Sequence, residues 1–105
     1  MNALLAAALL AAAVGSPAPD AAAVIHLKND AFTPATVTVR AGESVAFVND
    51  DDDAHTATAD DGSWDSEGLS RGERWVHAFA KPGRYAYHCT VHPFMKGTIV
   101  VRSAP

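Results

Sequence analysis

The sequence predicts an all-β sandwich built as one small domain. Two observations carry this. Beyond residue 23, apolar and polar side chains alternate with a period of two in short runs, and Gly, Pro, Asn and Asp separate those runs. In the same region no stretch keeps a helical period over several turns. With 105 residues and 49% hydrophobic content, the chain suits a single globular unit.

The elements follow in order. Val24 to Lys28 is the first strand candidate. Phe32, before Thr33-Pro34, reads as an apolar anchor in a loop. Thr36 to Arg40 alternates cleanly, with Val37 and Val39 on one face. Ala41-Gly42 turns the chain into Ser44 to Val48. Residues 49–71 are long, polar and acidic, with Asp50 to Asp53, Asp60-Asp61-Gly62 and a lone Trp64. A loop of that length in a small domain is often functional. Taken singly, Asp50 to Asp52 read as a solvated turn. The acidic spacing does not match an EF-hand, which needs Gly at its sixth position and Glu at its twelfth. Arg74 to Phe79, Arg84 to Cys89 and Gly97 to Arg102 complete the strands. Phe47, Trp64, Trp75, Phe79 and Tyr87 are the aromatic core candidates. Gly83-Arg84-Tyr85 reads as a tyrosine corner, in which the phenol bonds back to nearby backbone.

The N-terminus differs from the rest. Ala3 to Val14 is an unbroken apolar run, too short for a membrane span of roughly 20 residues. With the small residues and Pro that follow, it reads as a secretory signal peptide over residues 1–23, cleaved after Ala18 or near Ala23. Residues 24–105 then form the exported domain, periplasmic or secreted, with no stable membrane insertion and expected to be a monomer. The net charge of −4 and the lack of a basic stripe argue against nucleic acid as a partner.

Export sharpens the question of Cys89, the one cysteine. It has no internal disulfide partner, and a metal bond is the quietest fate for a thiol in an oxidising compartment. Residues 88–95 read HCTVHPFM, placing Cys89, His92 and Met95 in one short loop. Thiolate and thioether are soft ligands and imidazole is intermediate, a combination suited to copper in both oxidation states. Zinc more often recruits a second Cys or a third His. Two His and one Cys in a plane with a weak axial Met form the blue-copper arrangement. The second His comes from elsewhere. His88 neighbours Cys89 on a strand and points to the opposite face. His26 and His77 lie within strand patterns. His55, just past a strand end, remains as the fourth ligand by elimination.

Ala54-His55-Thr56 and the run Pro82 to Gly97 resemble the cupredoxin family of blue-copper proteins. The tight Cys-x2-His-x2-Met spacing is similar to that of the amicyanin group; plastocyanin and pseudoazurin have longer ligand loops. The resemblance spans the chain from the first strand to Val101. It implies a Greek-key β-sandwich, one type 1 copper held by His55, Cys89, His92 and Met95, and electron transfer between larger redox proteins rather than an enzymatic reaction. It also implies that an apolar collar around His92, with Phe94 as a candidate member, is the docking face; Phe94 as a plug of the loop is the competing reading. Many members carry Asn after the first His, where this chain has Thr56, so the bonds that join the two ligand loops are expected to differ. Copper delivery is the alternative function. Two Met and five His provide no Met-rich or His-rich tract for it. The acids next to His55 point to a redox partner with a basic face.

Overall fold

The computed structural model describes residues 20–105, which form eight strands and no helix. The apolar leader lies outside the described residues. The strands are β1 (Ala23–Lys28), β2 (Ala31–Thr33), β3 (Thr36–Arg40), β4 (Ser44–Asn49), β5 (Thr58–Ala59), β6 (Arg74–Ala78), β7 (Gly83–His88) and β8 (Lys96–Arg102). They make two four-stranded sheets, ordered β2-β1-β4-β6 and β3-β8-β7-β5. The expected all-β sandwich is what the chain forms.

The pairing explains the topology. β1 runs parallel to β4, and β3 runs parallel to β8. The other pairs are antiparallel. Parallel neighbours cannot be joined by a tight hairpin. The chain therefore crosses between the sheets at β2–β3, β3–β4, β4–β5, β5–β6 and β6–β7. Alternation sends Ile25 and Leu27 from β1, Val37 and Val39 from β3, and Ile99 and Val101 from β8 into the space between the layers, all buried.

Aromatic rings fill the centre. Tyr87 meets Phe32 edge-on at 4.6 Å and Phe47 at 5.6 Å, and Trp64 lies 5.5 Å from Tyr87 and 5.9 Å from Phe47. Three readings from sequence need correction here. Phe32 belongs to a short edge strand, β2, rather than a loop; its brief pairing with β1 was too short to show as a pattern. Trp75 is only half-buried, stacked on His77 at 5.1 Å, because β6 is the edge of its sheet. The long acidic segment contains β5, which pairs with β7 through Thr58 and Ala59. The tyrosine corner is present: the Tyr85 hydroxyl donates to Lys81 O at 2.6 Å.

Gly97 sits opposite Tyr87 in the β7–β8 ladder. A Cβ there would fall 2.4 Å from Cζ and Oη of Tyr87. That ring is wedged among Phe32, Phe47 and Trp64 and cannot swing away cheaply. Gly97→Ala is expected to cost about 1–3 kcal/mol. Denaturant melts of the metal-free protein check it, and an unchanged midpoint would show that the ring relaxes freely.

Candidate metal centre

Cys89 follows directly on the end of β7, and Met95 directly precedes β8. The two strands are antiparallel neighbours with His88 opposite Lys96, so both ends of the loop are pinned. Inside it, Cys89 N–H donates to Met95 O at 3.1 Å and Met95 N–H donates to His92 O at 2.9 Å. A loop with both ends in the sheet and its own hydrogen bonds has little freedom. Cys89 and Met95 are buried and His92 is half-buried.

His55 arrives from the β4–β5 connection. Its backbone forms a two-way bridge with Leu69: His55 N–H to Leu69 O at 3.1 Å, and Leu69 N–H to His55 O at 2.8 Å. Its side chain is fully buried. Asn49 braces the connection from the end of β4. Its amide donates to Leu69 O at 2.7 Å and to Asp53 O at 2.9 Å, and its Oδ1 accepts from Asp51 N–H at 2.9 Å. The ligand pattern of the sequence does not single out Asn49. A polar residue at the buried end of an apolar strand was the signal for it, because such a group has to be satisfied internally.

The fold thus brings together what the sequence separates by more than thirty residues. The donor atoms of His55, Cys89 and His92 lie within 4.8 Å of one another. The two imidazole rings are 4.9 Å apart, and His55 Nδ1 is 3.7 Å from Cys89 Sγ. Met95 is buried in the same loop. The other histidines are engaged elsewhere: His26 with Asp50 at 2.6 Å, His88 with Asp60 at 2.6 Å, and His77 in the stack on Trp75.

The donors also fit a metal electronically. His92 Nδ1 is buried with no hydrogen-bond partner among the described residues, unusual for a ring nitrogen unless a ligand completes it. Burial disfavours a Cys89 thiolate. Against that, the N–H groups of Thr56, His92 and Val91, together with His55, bring the thiol down to about 7. Thiolate is the form that binds metal. Burial likewise opposes protonation of His55, yet the bond to Asp51 and the nearby Cys89 raise its pKa overall. One thiolate, two imidazoles and a thioether are too few hard or thiolate donors for a closed zinc site and match a type 1 copper set.

Thr56 joins the two ligand segments. Its N–H donates to Cys89 Sγ at 3.3 Å, and its Oγ1 accepts from Thr90 N–H at 2.9 Å. Where many members of the resembled family carry an amide, the Thr56 hydroxyl makes the tie, as the expected difference implied, and the Thr58 and Thr90 hydroxyls extend it at 2.9 and 3.2 Å. A further correction concerns the acidic turn. Asp51 is no solvated bystander: Oδ2 lies 2.8 Å from His55 Nε2, and Asn29 and Asp30 donate their N–H groups to its carboxylate at 2.9 and 3.1 Å. Neither of those partners adjoins Asp51 in sequence, which is why the alternation rules could not reveal it.

Comparison with known proteins agrees with this geometry. A family model for the cupredoxin-like domain matches residues 1–101, and the chain belongs to the cupredoxin family. Among curated relatives it is 30% identical over 88 residues to amicyanin of Paracoccus versutus, covering 79% of this chain and 67% of that protein. It is 35% identical over 98 residues to plastocyanin of Ulva prolifera, covering 77% of this chain and 100% of that one. Among solved structures, a Cu-containing nitrite reductase from Thermus scotoductus superposes with a TM-score of 0.75 at 30% identity. That match covers 87% of this chain but 25% of the reductase chain, so this chain corresponds to about a quarter of that enzyme.

Thr56→Val keeps the shape and the backbone N–H but removes the acceptor for Thr90 N–H. The metal-free protein is expected to lose about 1–3 kcal/mol, read from its denaturant midpoint, whereas Thr56→Ser retains most of the stability. Equal stability of the Val and Ser variants would show that the hydroxyl tie contributes nothing.

Proposed function

We propose that this chain is an exported one-electron carrier, holding one type 1 copper through His55, Cys89, His92 and Met95 and passing electrons between larger redox proteins. The observation that carries this reading is the convergence of His55, Cys89 and His92, with a buried His92 Nδ1 that has no hydrogen-bond partner among the described residues. A copper ion in such a set supplies a reversible couple between Cu(II) and Cu(I). The chain's own residues do the rest. Cys89 provides a thiolate already favoured by its neighbouring N–H groups. Hydrogen bonds within the 89–95 loop and across Thr56 keep the donors nearly fixed, so little has to reorganise when an electron arrives.

His92 is the route to the partner. Val91 and Phe94 flank it, 54% and 68% exposed, and the Phe94 ring lies 5.9 Å from the His92 ring. At that exposure Phe94 serves as part of a collar and does not plug the loop. On another side, carboxylate oxygens of Asp30 and Asp53 come within 4.8 Å of a His92 ring nitrogen. The partner we infer has an apolar centre edged by basic side chains. We also infer export, with processing after Ala18, because Ala22 N–H is bonded to Ser44 O and Ala23 belongs to β1. The mass of the secreted chain checks this, and retention of residues 1–18 would refute it.

The copper-loaded protein is expected to show an intense thiolate-to-copper absorption that ascorbate bleaches reversibly. Cys89→Ser should abolish the band, whereas Met95→Gln should keep copper and change the potential, since the thioether would be the weakest donor of the set and would tune the couple. A colourless protein that prefers zinc would remove the carrier reading. Association with a basic redox partner should slow as ionic strength rises, and Asp53→Asn should flatten that dependence. Rates indifferent to salt would sink the charged docking face.

A further inference from the structure

Asp51 is a buried-side partner of a metal-competent imidazole, and nothing in the ligand pattern assigns it a role. Its Oδ2 is 2.8 Å from Nε2 of the fully buried His55, and Asp30 Oδ1 stands further off at 3.5 Å. The other His55 nitrogen, Nδ1, faces Cys89 Sγ. A carboxylate accepts hydrogen bonds and donates none, so the proton on this ring belongs on Nε2 and the lone pair belongs on Nδ1.

Asp51 is itself held from three directions. The N–H groups of Asn29 and Asp30 point at its two oxygens, and its own N–H donates to Asn49 Oδ1. Asn29 and Asp30 adopt positive φ of 54° and 55°, a conformation that Asn and Asp tolerate better than most residues. The β1–β2 turn is thereby bent toward the metal centre, although it contributes no ligand. The neighbouring acids are differently engaged: Asp50 pairs with His26, and Asp52 with Arg71.

We propose that Asp51 is the positioning residue of the copper centre: it fixes the His55 tautomer and ring orientation, and its negative charge favours Cu(II) over Cu(I). A carboxylate behind a metal-bound imidazole raises ligand basicity, and losing such a partner typically lowers metal affinity 10–100-fold. The inference rests on the copper reading of the site, and the experiment separates the two.

Asp51→Asn and Asp52→Asn are compared with wild type by Cu(II) and Cu(I) titration and by voltammetry. The two substitutions remove the same charge, but only the first touches His55. Asp51→Asn is expected to lower Cu(II) affinity by about 10–100-fold and Cu(I) affinity by less, raising the reduction potential, while Asp52→Asn leaves both near wild type. Equal shifts in the two variants, or none in Asp51→Asn, overturn the proposal. The tautomer is read independently in the metal-free wild type by nitrogen NMR at alkaline pH, where a protonated Nε2 and a bare Nδ1 are expected. The opposite tautomer overturns the proposal even if Asp51→Asn fails to fold. A wild type without the blue band refutes the copper reading, while the tautomer still judges the role of Asp51.

Discussion

The structure turns on the meeting of two chain segments at Thr56 and Cys89. A thiolate buried between β-sheets is unfavourable on its own, because burial penalises the charged form. The Thr56 N–H at 3.3 Å from Cys89 Sγ offsets part of that penalty, and the Thr56 hydroxyl holds the next residue of the same loop. One residue thus stabilises the sulfur and couples its loop to the segment that carries His55. Without this contact, Cys89 and His55 would sit on independent connections of a small sandwich.

The sandwich supplies the rigidity on which that contact relies. Cys89 and Met95 flank the strand ends of an antiparallel pair in the middle of one sheet, where β8 and β7 each have a neighbour on both sides. Tyr87 lies two residues before Cys89 and closes over Gly97, between Phe32 and Phe47 from the opposite sheet. The core and the ligand loop are therefore one mechanical unit. The close fit of an aromatic ring over a missing Cβ transmits the position of one layer to the other.

Around this unit the acidic connection divides its labour. Asn49, through its side-chain amide, and Leu69, through its backbone bridge, shape the approach to His55. Asp51 faces inward to the ring, Asp50 and Asp52 pair with His26 and Arg71, and Asp30 and Asp53 border His92. Residues consecutive in sequence thus serve the interior, the surface and the rim. Successive side chains in an extended or turning backbone point in different directions, and the β1–β2 turn takes up whichever one faces it.

The sequence by itself determined the fold class and the donor set. Period-two alternation is a local property, so β1, β3, β4, β6, β7 and β8 were legible, and the chemistry of Cys89, His92 and Met95 was legible because one short loop holds them. His55 could be reached by excluding histidines on strand patterns. Only the tertiary structure decided what depends on distant segments meeting. The short strands β2 and β5 exist because neighbours pair with them, through contacts too few to leave a period. Asn49 and Asp51 acquire their roles from Leu69, Asn29, Asp30 and His55. The difference expected at Thr56 takes the form of a hydroxyl network that requires Thr58 and Thr90 to be near. Ligand identity is written in side-chain chemistry, whereas the hydrogen bonds that orient ligands are relations between segments, which a linear pattern does not record.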